Sequence, residues 1–250
     1  MNMLKSESTQ IKIVLVEAQG PLNVGSVARI MKNMGFYNLV LVNPQCDHNG
    51  PEARKMAVHA AEILEKATIF PTLPEALKGC QRAIATTSLD RSLPTNLETP
   101  KNSLPWLLGH SSALIFGRED RGLTNAELNY AQRFVRIESD DAYPSLNLAQ
   151  AVAICCYELY QAQLNQENSS QNQQSHDLEV SLDILEAYYQ DLESMLLKIG
   201  YLYPHTASSR MEKFRRLYNR AYPSTQEVAM LRGIIRQINW ALSNYHQDDS

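Results

Sequence analysis

The sequence is poor in the residue patterns that mark several common classes of protein. Its 250 residues include four cysteines, and none form a Cys-x-x-Cys pair, so reduced structural thiols are favoured over metal ligands. The six histidines show no metal-ligand spacing such as His-Glu-x-x-His, which leaves metal catalysis without support. No apolar run has the length of a membrane span, and Met1 to Gln10 lacks the pattern of a signal peptide. We therefore expect a cytoplasmic protein with no metal and no membrane contact.

Two nucleotide-binding fingerprints are also missing. No Gly-x-x-x-x-Gly-Lys-Ser/Thr occurs, so a P-loop is excluded. After the first predicted strand Gly25 stands alone, and Asn43-Pro44 follows the second strand where a dinucleotide oxidoreductase has an acidic ribose ligand. Ser145 lacks a surrounding Gly-x-Ser-x-Gly, which disfavours acyl transfer by a nucleophilic serine.

What the chain does contain is enough apolar sequence for a packed core. Its apolar fraction is 44%, and its length suits one main domain with a smaller second one. The formal net charge of -4 argues against a protein that coats nucleic acid indiscriminately. A local basic surface can still be hidden in that total, so charge has to be examined by segment.

Short apolar runs alternate with helical segments over the first 160 residues. This alternation predicts an α/β fold with a mostly parallel sheet covered by helices on both faces. Helices are predicted at 52–66 and 73–79, and Thr124 with Glu127 has the spacing of a capping box. The predicted strands are 11–16, 39–42, 83–87, 113–116 and 134–137.

The first helix follows the turn-rich Gln19-Gly20-Pro21. We expect Asn23 to be its N-cap and Gly35 to end it, with the apolar side chains on one face. Ser26 and Arg29, three residues apart, then lie together on the opposite face.

Three strand ends are rich in small and hydroxylated residues. They are 86–88, 117–122 and 138–147, and in parallel sheets ligands bind outside such carboxyl ends. The loops therefore predict a pocket with backbone donors at its rim. The alternative is that glycine and serine occur there only because turns require them.

The composition changes near residue 161. Residues 161–177 are rich in Gln, Asn and Ser and predict a flexible linker between a domain at 1–160 and a helical module at 178–250. A helix at 209–221 carries Lys213, Arg216 and Arg220 at three- and four-residue steps. Between Arg210 and Arg236 there are seven basic residues and two acidic ones, a local balance of +5.

This basic helix has two interpretations. Its cations can track a phosphate backbone, and Tyr218 and Tyr222 can stack on exposed bases. Alternatively the basic face is only solvated, and the tyrosines pack within the module.

Three ordered segments resemble the motifs of the SPOUT class of RNA methyltransferases. They are Asn23-Val24-Gly25-Ser26-Val27-Ala28-Arg29, Phe116-Gly117-Arg118-Glu119 with Gly122-Leu123-Thr124, and Ser145-Leu146-Asn147-Leu148-Ala149. The resemblance spans residues 11 to 160, and with the basic helical module the chain looks most like the TrmJ type. That type methylates the ribose 2′-hydroxyl of a pyrimidine, at position 32 of the tRNA anticodon loop.

The resemblance implies a fold, a cofactor and an assembly. It implies a trefoil knot around the last strands, S-adenosylmethionine bound in the knotted loops, and a homodimer formed through the knot. In that dimer Arg29 of one subunit reaches the cofactor of the other. The cofactor-binding residues implied by position are Thr86, Thr87, Ser88, Gly117, Ile137, Pro144, Ser145 and Leu146.

The implied catalytic residues are Arg29 and Ser145. Arg29 is assigned substrate positioning and charge stabilisation, because a guanidinium with a pKa above ~12 is a poor free base. Arg118 and Glu119 are expected to form a local ion pair. Contacts to tRNA are assigned to Asn23, Ser26, Arg118, Asn147, Lys213, Arg216 and Arg220. The alternatives are a knotted RNA-binding protein without catalysis and a 2′-O-methyltransferase that acts on ribosomal RNA.

Overall fold

The computed structural model describes residues 10–87, 97–140, 142–168 and 179–245. The chain divides into two compact units, Met1–Asn172 and Gln173–Ser250. Ser88 lies outside the described residues, as do 169–177 of the predicted linker.

The first unit is built on one parallel sheet of seven strands. Their order across the sheet is β3-β2-β1-β6-β4-β7-β5, and every neighbouring pair is parallel. The strands are β1 Ile11–Val16, β2 Asn38–Val42, β3 Thr68–Phe70, β4 Arg82–Thr86, β5 Leu97–Glu98, β6 Ser112–Phe116 and β7 Arg133–Val135. The α/β class and the parallel sheet predicted from the sequence are confirmed.

The middle strands are apolar because both faces of the sheet are covered. β1 and β6 are almost wholly buried, and they pair in register from Ile11 with Ser112 to Leu15 with Phe116. Runs of apolar residues without alternation are typical of such strands. β3 and β5 were missed because they are only three and two residues long and lack a buried apolar pattern.

Helices cover the sheet and connect its strands. They are α1 Pro21–Asn33, α2 Pro51–Ala57, α3 Ala61–Glu65, α4 Leu73–Ala76, α5 Pro100–Ser103, α6 Asn125–Leu128 and α7 Leu148–Asn168, with 3₁₀ turns at Val58–Ala60 and Leu104–Leu107. The prediction of a single helix at 52–66 is wrong. Val58 has a φ of +53° and interrupts the helix, so this segment forms α2, a 3₁₀ turn and α3. The capping box at Thr124 and Glu127 is confirmed.

The start of α1 differs from the prediction. Its N-cap is Gly20 rather than Asn23, because Pro21 has the fixed φ that suits the first helical position and needs no N–H partner there. Gly35 follows the helix with a φ of +77°, as predicted for its end, and the N–H of Phe36 donates to the Met31 carbonyl.

The predicted linker begins too early in the sequence. α7 continues through Asn168, and Gln163 within the predicted linker is buried. Gln and Glu are good helix formers, so a polar composition does not by itself end a helix.

The second unit is a set of three helices, α8 Leu182–Lys198, α9 Ala207–Ala221 and α10 Thr225–Tyr245. Its core includes Leu185, Leu192, Met211 and Val228. Ser224 and Glu227 form a capping box, since the Glu227 N–H donates to the Ser224 hydroxyl and the carboxylate accepts the Ser224 N–H. The helical character of this module is confirmed.

Among the helices of the described residues, none combines the length and apolar character needed to cross a bilayer. The trefoil knot stays a prediction.

Candidate active site

A cleft lies at the carboxyl ends of three neighbouring strands, β6, β4 and β7, beside the loop that leads into α7. Its apolar walls include Val135, Leu123 and Leu148. The predicted cofactor residues that line it are Thr86, Thr87, Gly117, Ile137, Pro144, Ser145 and Leu146. Three stretches separated by up to sixty residues of sequence are thus brought to one place, where ligands bind in parallel sheets.

Gly117 sits where the chain folds back on itself. A Cβ at this position would be 2.3 Å from both the Gly122 carbonyl carbon and the Leu123 nitrogen, so any side chain would force the loop away from the strand end. Gly122 has a φ of +67°, a conformation that glycine adopts at little cost. The two glycines of the second motif therefore shape a tight loop that forms one wall of the cleft.

Arg118 holds this loop from inside. Its side chain is 5% exposed, and it donates to both carboxylate oxygens of Glu127 at 2.9 and 2.8 Å and to a carboxylate oxygen of Glu17. These hydrogen bonds lower the pKa of Glu17. Burial raises the pKa of Glu127, but the hydrogen bonds from Arg118 and Thr124 outweigh burial, so the pKa of Glu127 is also lowered. The predicted ion pair between Arg118 and Glu119 is wrong, because the guanidinium turns toward Glu17 and Glu127. Little of it faces outward, which gives no support to the predicted RNA contact.

Glu119 points the other way, toward the start of α1. Its carboxylate accepts the N–H groups of Gln19 and Gly20 at 3.0 and 3.1 Å and the side-chain amide of Asn23 at 3.0 Å. Burial raises the pKa of Glu119, but these hydrogen bonds outweigh it and the net pKa is lowered. A carboxylate at this place also interacts favourably with the positive end of the helix dipole. Glu119 was not predicted as a site residue, because its partners lie 96 to 100 residues away in the sequence.

Asn23 and Asn147 join the first and third motifs. The Asn147 side-chain amide donates to the Asn23 side-chain oxygen at 3.0 Å, and the Asn147 oxygen accepts the Ala149 N–H at 2.9 Å as a cap of α7. A chain of hydrogen bonds therefore runs from Glu119 through Asn23 to Asn147. These bonds support a bracing role for both asparagines, and direct RNA contact by either stays a prediction.

Arg29, Ser26 and Ser145 differ in how they are held. Arg29 is exposed, and within the described part of the chain it has no hydrogen bond or ion pair. The Ser26 hydroxyl donates to the Leu22 carbonyl of its own helix at 2.8 Å. Ser145 is exposed at the rim of the cleft. The two residues predicted to be catalytic are thus both open to an incoming molecule.

The basic helix of the second unit is α9. Lys213 and Arg220 are exposed, whereas Arg216 is half-buried and lies 3.7 Å from Glu212. Arg215 is structural, since it pairs with Glu186 and covers the ring of Tyr189.

The two tyrosines predicted to stack on bases differ in their surroundings. Tyr218 packs edge-on against the buried ring of Tyr188, with ring centroids 5.2 Å apart. Tyr222 caps α9 with a φ of +47°. For Tyr218 the packing interpretation is the one that the structure supports.

The four cysteines are free, and three of them are buried. Burial raises the pKa of Cys156 to about 12, so its thiol is neutral and unsuited to metal binding or nucleophilic attack. Among the described residues there is also no group of three side chains suited to hold a metal ion.

Models of known protein families match both units of the chain. The model of the SpoU rRNA methylase family matches residues 10–157, and that of the TrmJ tRNA methyltransferase C-terminal domain matches residues 183–248.

Characterised relatives span almost the whole chain. One is the tRNA (cytidine/uridine/adenosine-2′-O-)-methyltransferase TrmJ of Pseudomonas aeruginosa, 38% identical over 96% of this chain and 99% of its own. Another is the tRNA (cytidine/uridine-2′-O-)-methyltransferase TrmJ of Escherichia coli K12, 40% identical over 91% of this chain and 94% of its own.

A solved structure extends the likeness to the fold. The crystal structure of TrmJ from Z. mobilis ZM4 matches with a TM-score of 0.80 and 29% identity, over 91% of this chain and 98% of that one. The chain therefore belongs to the SpoU rRNA methylase family, and within it to the TrmJ methyltransferases.

Proposed function

We propose that this protein transfers a methyl group from S-adenosylmethionine to the ribose 2′-hydroxyl of a nucleotide in tRNA. The observation that carries the proposal is the cleft, in which residues of the second and third motifs meet and to which the first motif is tied through Asn23 and Asn147. Relatives that span nearly the whole chain bear the name of this activity.

The residues of the cleft fit S-adenosylmethionine. Ile137, Leu146 and Leu148 offer apolar surface to an adenine-sized ring, and Thr86 and Thr87 at the end of β4 supply polar atoms beside it. The tight turn at Gly117 brings backbone close to the cleft. When bound, the cofactor supplies an activated methyl group.

The protein's own contribution is mainly positioning, because a displacement reaction requires the two reacting atoms to be held in line. The Arg29 guanidinium orients the RNA backbone and stabilises negative charge that develops on the ribose oxygen. Ser145 hydrogen-bonds the ribose or its phosphate at the rim of the cleft. Glu119 acts through Asn23 and Asn147 and is a positioning residue.

We further propose that the active protein is a homodimer in which each site receives Arg29 from the partner. Arg29 is exposed on α1 with no partner in the part of the chain that the structure describes. Leu22, on the same face of α1, is 50% exposed, and Ile154 and Tyr157 are exposed on α7, which packs on α1. Exposed apolar residues on α1 and α7, together with an arginine that has no partner among the described residues, are consistent with a surface that a second subunit covers.

The target nucleotide is proposed to be the pyrimidine at position 32 of the tRNA anticodon loop. Both relatives include cytidine and uridine in their names, and the Pseudomonas relative adds adenosine. Recognition by the ribose and the phosphate backbone, which all nucleotides share, accounts for such breadth.

The decisive experiment is methylation mapping. The full-length protein is incubated with labelled S-adenosylmethionine and either unmodified tRNA transcripts or ribosomal RNA, and modified riboses are located by resistance to alkaline cleavage. We expect label at one ribose of the anticodon loop. Label in ribosomal RNA alone would contradict the tRNA assignment, and cofactor binding without transfer to either RNA would favour a protein without catalysis.

A further inference from the structure

The loop between α8 and α9 presents exposed aromatic side chains. Tyr201 is 52% exposed and Tyr203 is 55% exposed, whereas Leu202 between them is 2% exposed. Leu202 is buried in the core of the second unit, and the tyrosines on either side of it are left exposed. His205 is also exposed and stacks on Tyr203, with ring centroids 6.0 Å apart and planes 22° apart. We refer to Tyr201, Tyr203 and His205 as the aromatic platform.

Hydrogen bonds hold the backbone of this loop at both ends. The N–H groups of Tyr201 and Leu202 donate to the Leu196 carbonyl at 3.0 and 3.1 Å. At the other end the Tyr203 carbonyl accepts the N–H groups of Thr206 and Ala207, both at 2.9 Å. The rings are therefore carried by a preorganised backbone, which lowers the entropy lost when a ligand binds.

Basic residues flank the platform in the sequence, and one of them contacts it. The Arg210 guanidinium lies 5.7 Å from the centre of the Tyr201 ring and donates to the Tyr201 carbonyl at 3.2 Å. Lys198 precedes the loop, and no acidic residue occurs in the sequence between Glu193 and Glu212. Exposed rings beside positive charge suit a ligand that has both flat faces and negative charge.

We infer that the aromatic platform stacks on unpaired bases of the RNA substrate while Arg210 contacts an adjacent phosphate. Every base has a π-face, so such stacking recognises single-stranded nucleotides without reading their sequence. The inference rests on the proposed function, because it concerns how the protein binds tRNA, whose loops contain unpaired bases. It differs from the expectation for Lys213, Arg216 and Arg220, which concerns phosphate contact along α9.

Nucleic acid fits this surface better than a protein partner does. An apolar protein interface would need a continuous apolar patch, whereas here the polar atoms of two tyrosines and a histidine lie on a loop that Arg210 contacts. The charged residues in the sequence from Lys198 to Arg210 are both basic, which is complementary to a phosphate backbone.

The test measures RNA affinity by fluorescence anisotropy with the full-length protein and no cofactor. The variants are Tyr203→Ala, Tyr201→Ala and the two phenylalanine substitutions at the same positions, which keep the rings. Trp240→Ala is the matched control, since Trp240 is 62% exposed on another helix of the same unit. The probes are an unmodified tRNA transcript, a single-stranded oligouridylate and a fully paired RNA duplex of matched length.

Each alanine substitution should weaken binding to tRNA and to the single strand about five- to hundredfold, the equivalent of one lost stacking contact. The RNA affinities of the two phenylalanine variants and of Trp240→Ala should remain within about twofold of the wild type. The affinity of every variant for the duplex should change little. The slope of affinity against salt should be unaltered by the alanine variants but reduced by about one in Arg210→Ala, which removes a phosphate contact.

Unchanged tRNA affinity in both alanine variants would overturn the inference, and so would an equal loss on the duplex. A shift in oligomeric state without a loss of RNA affinity would instead identify a protein contact. The Tyr201 ring also contacts Phe214, with ring centroids 6.5 Å apart, so Tyr201→Ala can weaken the fold. Thermal unfolding therefore checks that each variant is folded. Tyr203→Ala tests the platform without loss of the contact to Phe214. If the wild type transfers methyl groups to tRNA while these variants bind normally, only the platform fails. If the wild type binds RNA through the platform but transfers none, only the proposed function fails.

Discussion

Glu119 shows how one carboxylate can organise a site without touching a substrate. It fixes the start of α1 through two backbone N–H groups and fixes Asn23 through a third hydrogen bond. Asn23 in turn holds Asn147. These partners are 96 to 124 residues apart in sequence, so no local pattern could reveal them. The motif residues were predictable as a set, whereas their mutual contacts required the folded sheet.

A substitution of Arg29 should affect catalysis but not cofactor binding. We expect Arg29→Ala to bind S-adenosylmethionine as the wild type does but to lose about 10²–10³ in kcat, the usual effect of removing one charge-stabilising donor. Calorimetric titration measures the first quantity and single-turnover methyl transfer the second. Arg29→Lys is the matched control and should restore part of the rate. Loss of the dimer in Arg29→Ala would show a structural role instead.

At the scale of elements, a glycine sets the distance between α1 and α2. A Cβ on Gly25 would be 2.1 Å from the Ala53 carbonyl oxygen and 2.9 Å from the Met56 Cβ. The first motif therefore requires glycine at position 25 for the packing of the two helices. The sequence showed Gly25 within a helix, but the neighbour that explains it lies on another helix.

Gly25→Ala should lower the free energy of unfolding by about 1–3 kcal/mol or more, because a rigid backbone oxygen occupies the space of the new methyl group. Chemical denaturation measures the change. Gly233 is the matched control, since it also lies within a helix but has open space where a Cβ would stand. Gly233→Ala should stabilise its unit by about 0.5–1 kcal/mol. A neutral Gly25→Ala would mean that α2 moves aside easily.

The buried ion pairs of Arg118 join the ends of β1 and β6 to α6 and make this part of the fold sensitive to acid. The pKa values of Glu17 and Glu127 are lowered in the folded protein from an ordinary value of 4.5. The unfolded chain therefore binds more protons in the pH range just below 4.5, and stability is lost as the pH falls through that range.

Glu127→Gln should lose roughly 3 kcal/mol at neutral pH, the low end for removing one partner of a buried pair, because Glu17 still faces Arg118. Its stability should also fall less steeply with acid than that of the wild type. Urea denaturation at several pH values measures both effects. Glu52→Gln, at an exposed carboxylate on α2, should change stability by less than about 0.5 kcal/mol. Parallel pH profiles for the wild type and Glu127→Gln would contradict this account.

Element boundaries were predicted well where an apolar pattern or a cap defined them. β1, β6 and the capping box of Thr124 and Glu127 lie close to where the sequence predicts them. Strands β3 and β5 were missed because they are short and partly exposed, and the end of α7 was missed because polar helix formers resemble a linker. Predictions failed where an element was too short to carry a pattern, or where its composition suits a helix and a linker equally.

For the whole molecule, the proposed sharing of sites between subunits can be tested by mixing two inactive variants. In a hybrid dimer of Arg29→Ala with Ser145→Ala, one site would combine an intact Arg29 with an intact Ser145, and the other would lack both. Random exchange of subunits should therefore restore about a quarter of the wild-type activity. Each variant alone is the control. Mixtures that stay as inactive as their components, despite proven exchange, would place both residues in the same subunit's site.

The parallel pairing of β1 with β6 has a consequence for how the protein is made. β1 emerges from the ribosome about one hundred residues before its neighbour β6, and the Asn147 to Asn23 hydrogen bond closes a loop of 124 residues. Non-local contacts of this kind form late, because chain entropy is lost before they can compensate for it. A nascent chain that ends before α7 has no Asn147 to meet Asn23, so the cleft is completed only near the end of synthesis of the first unit.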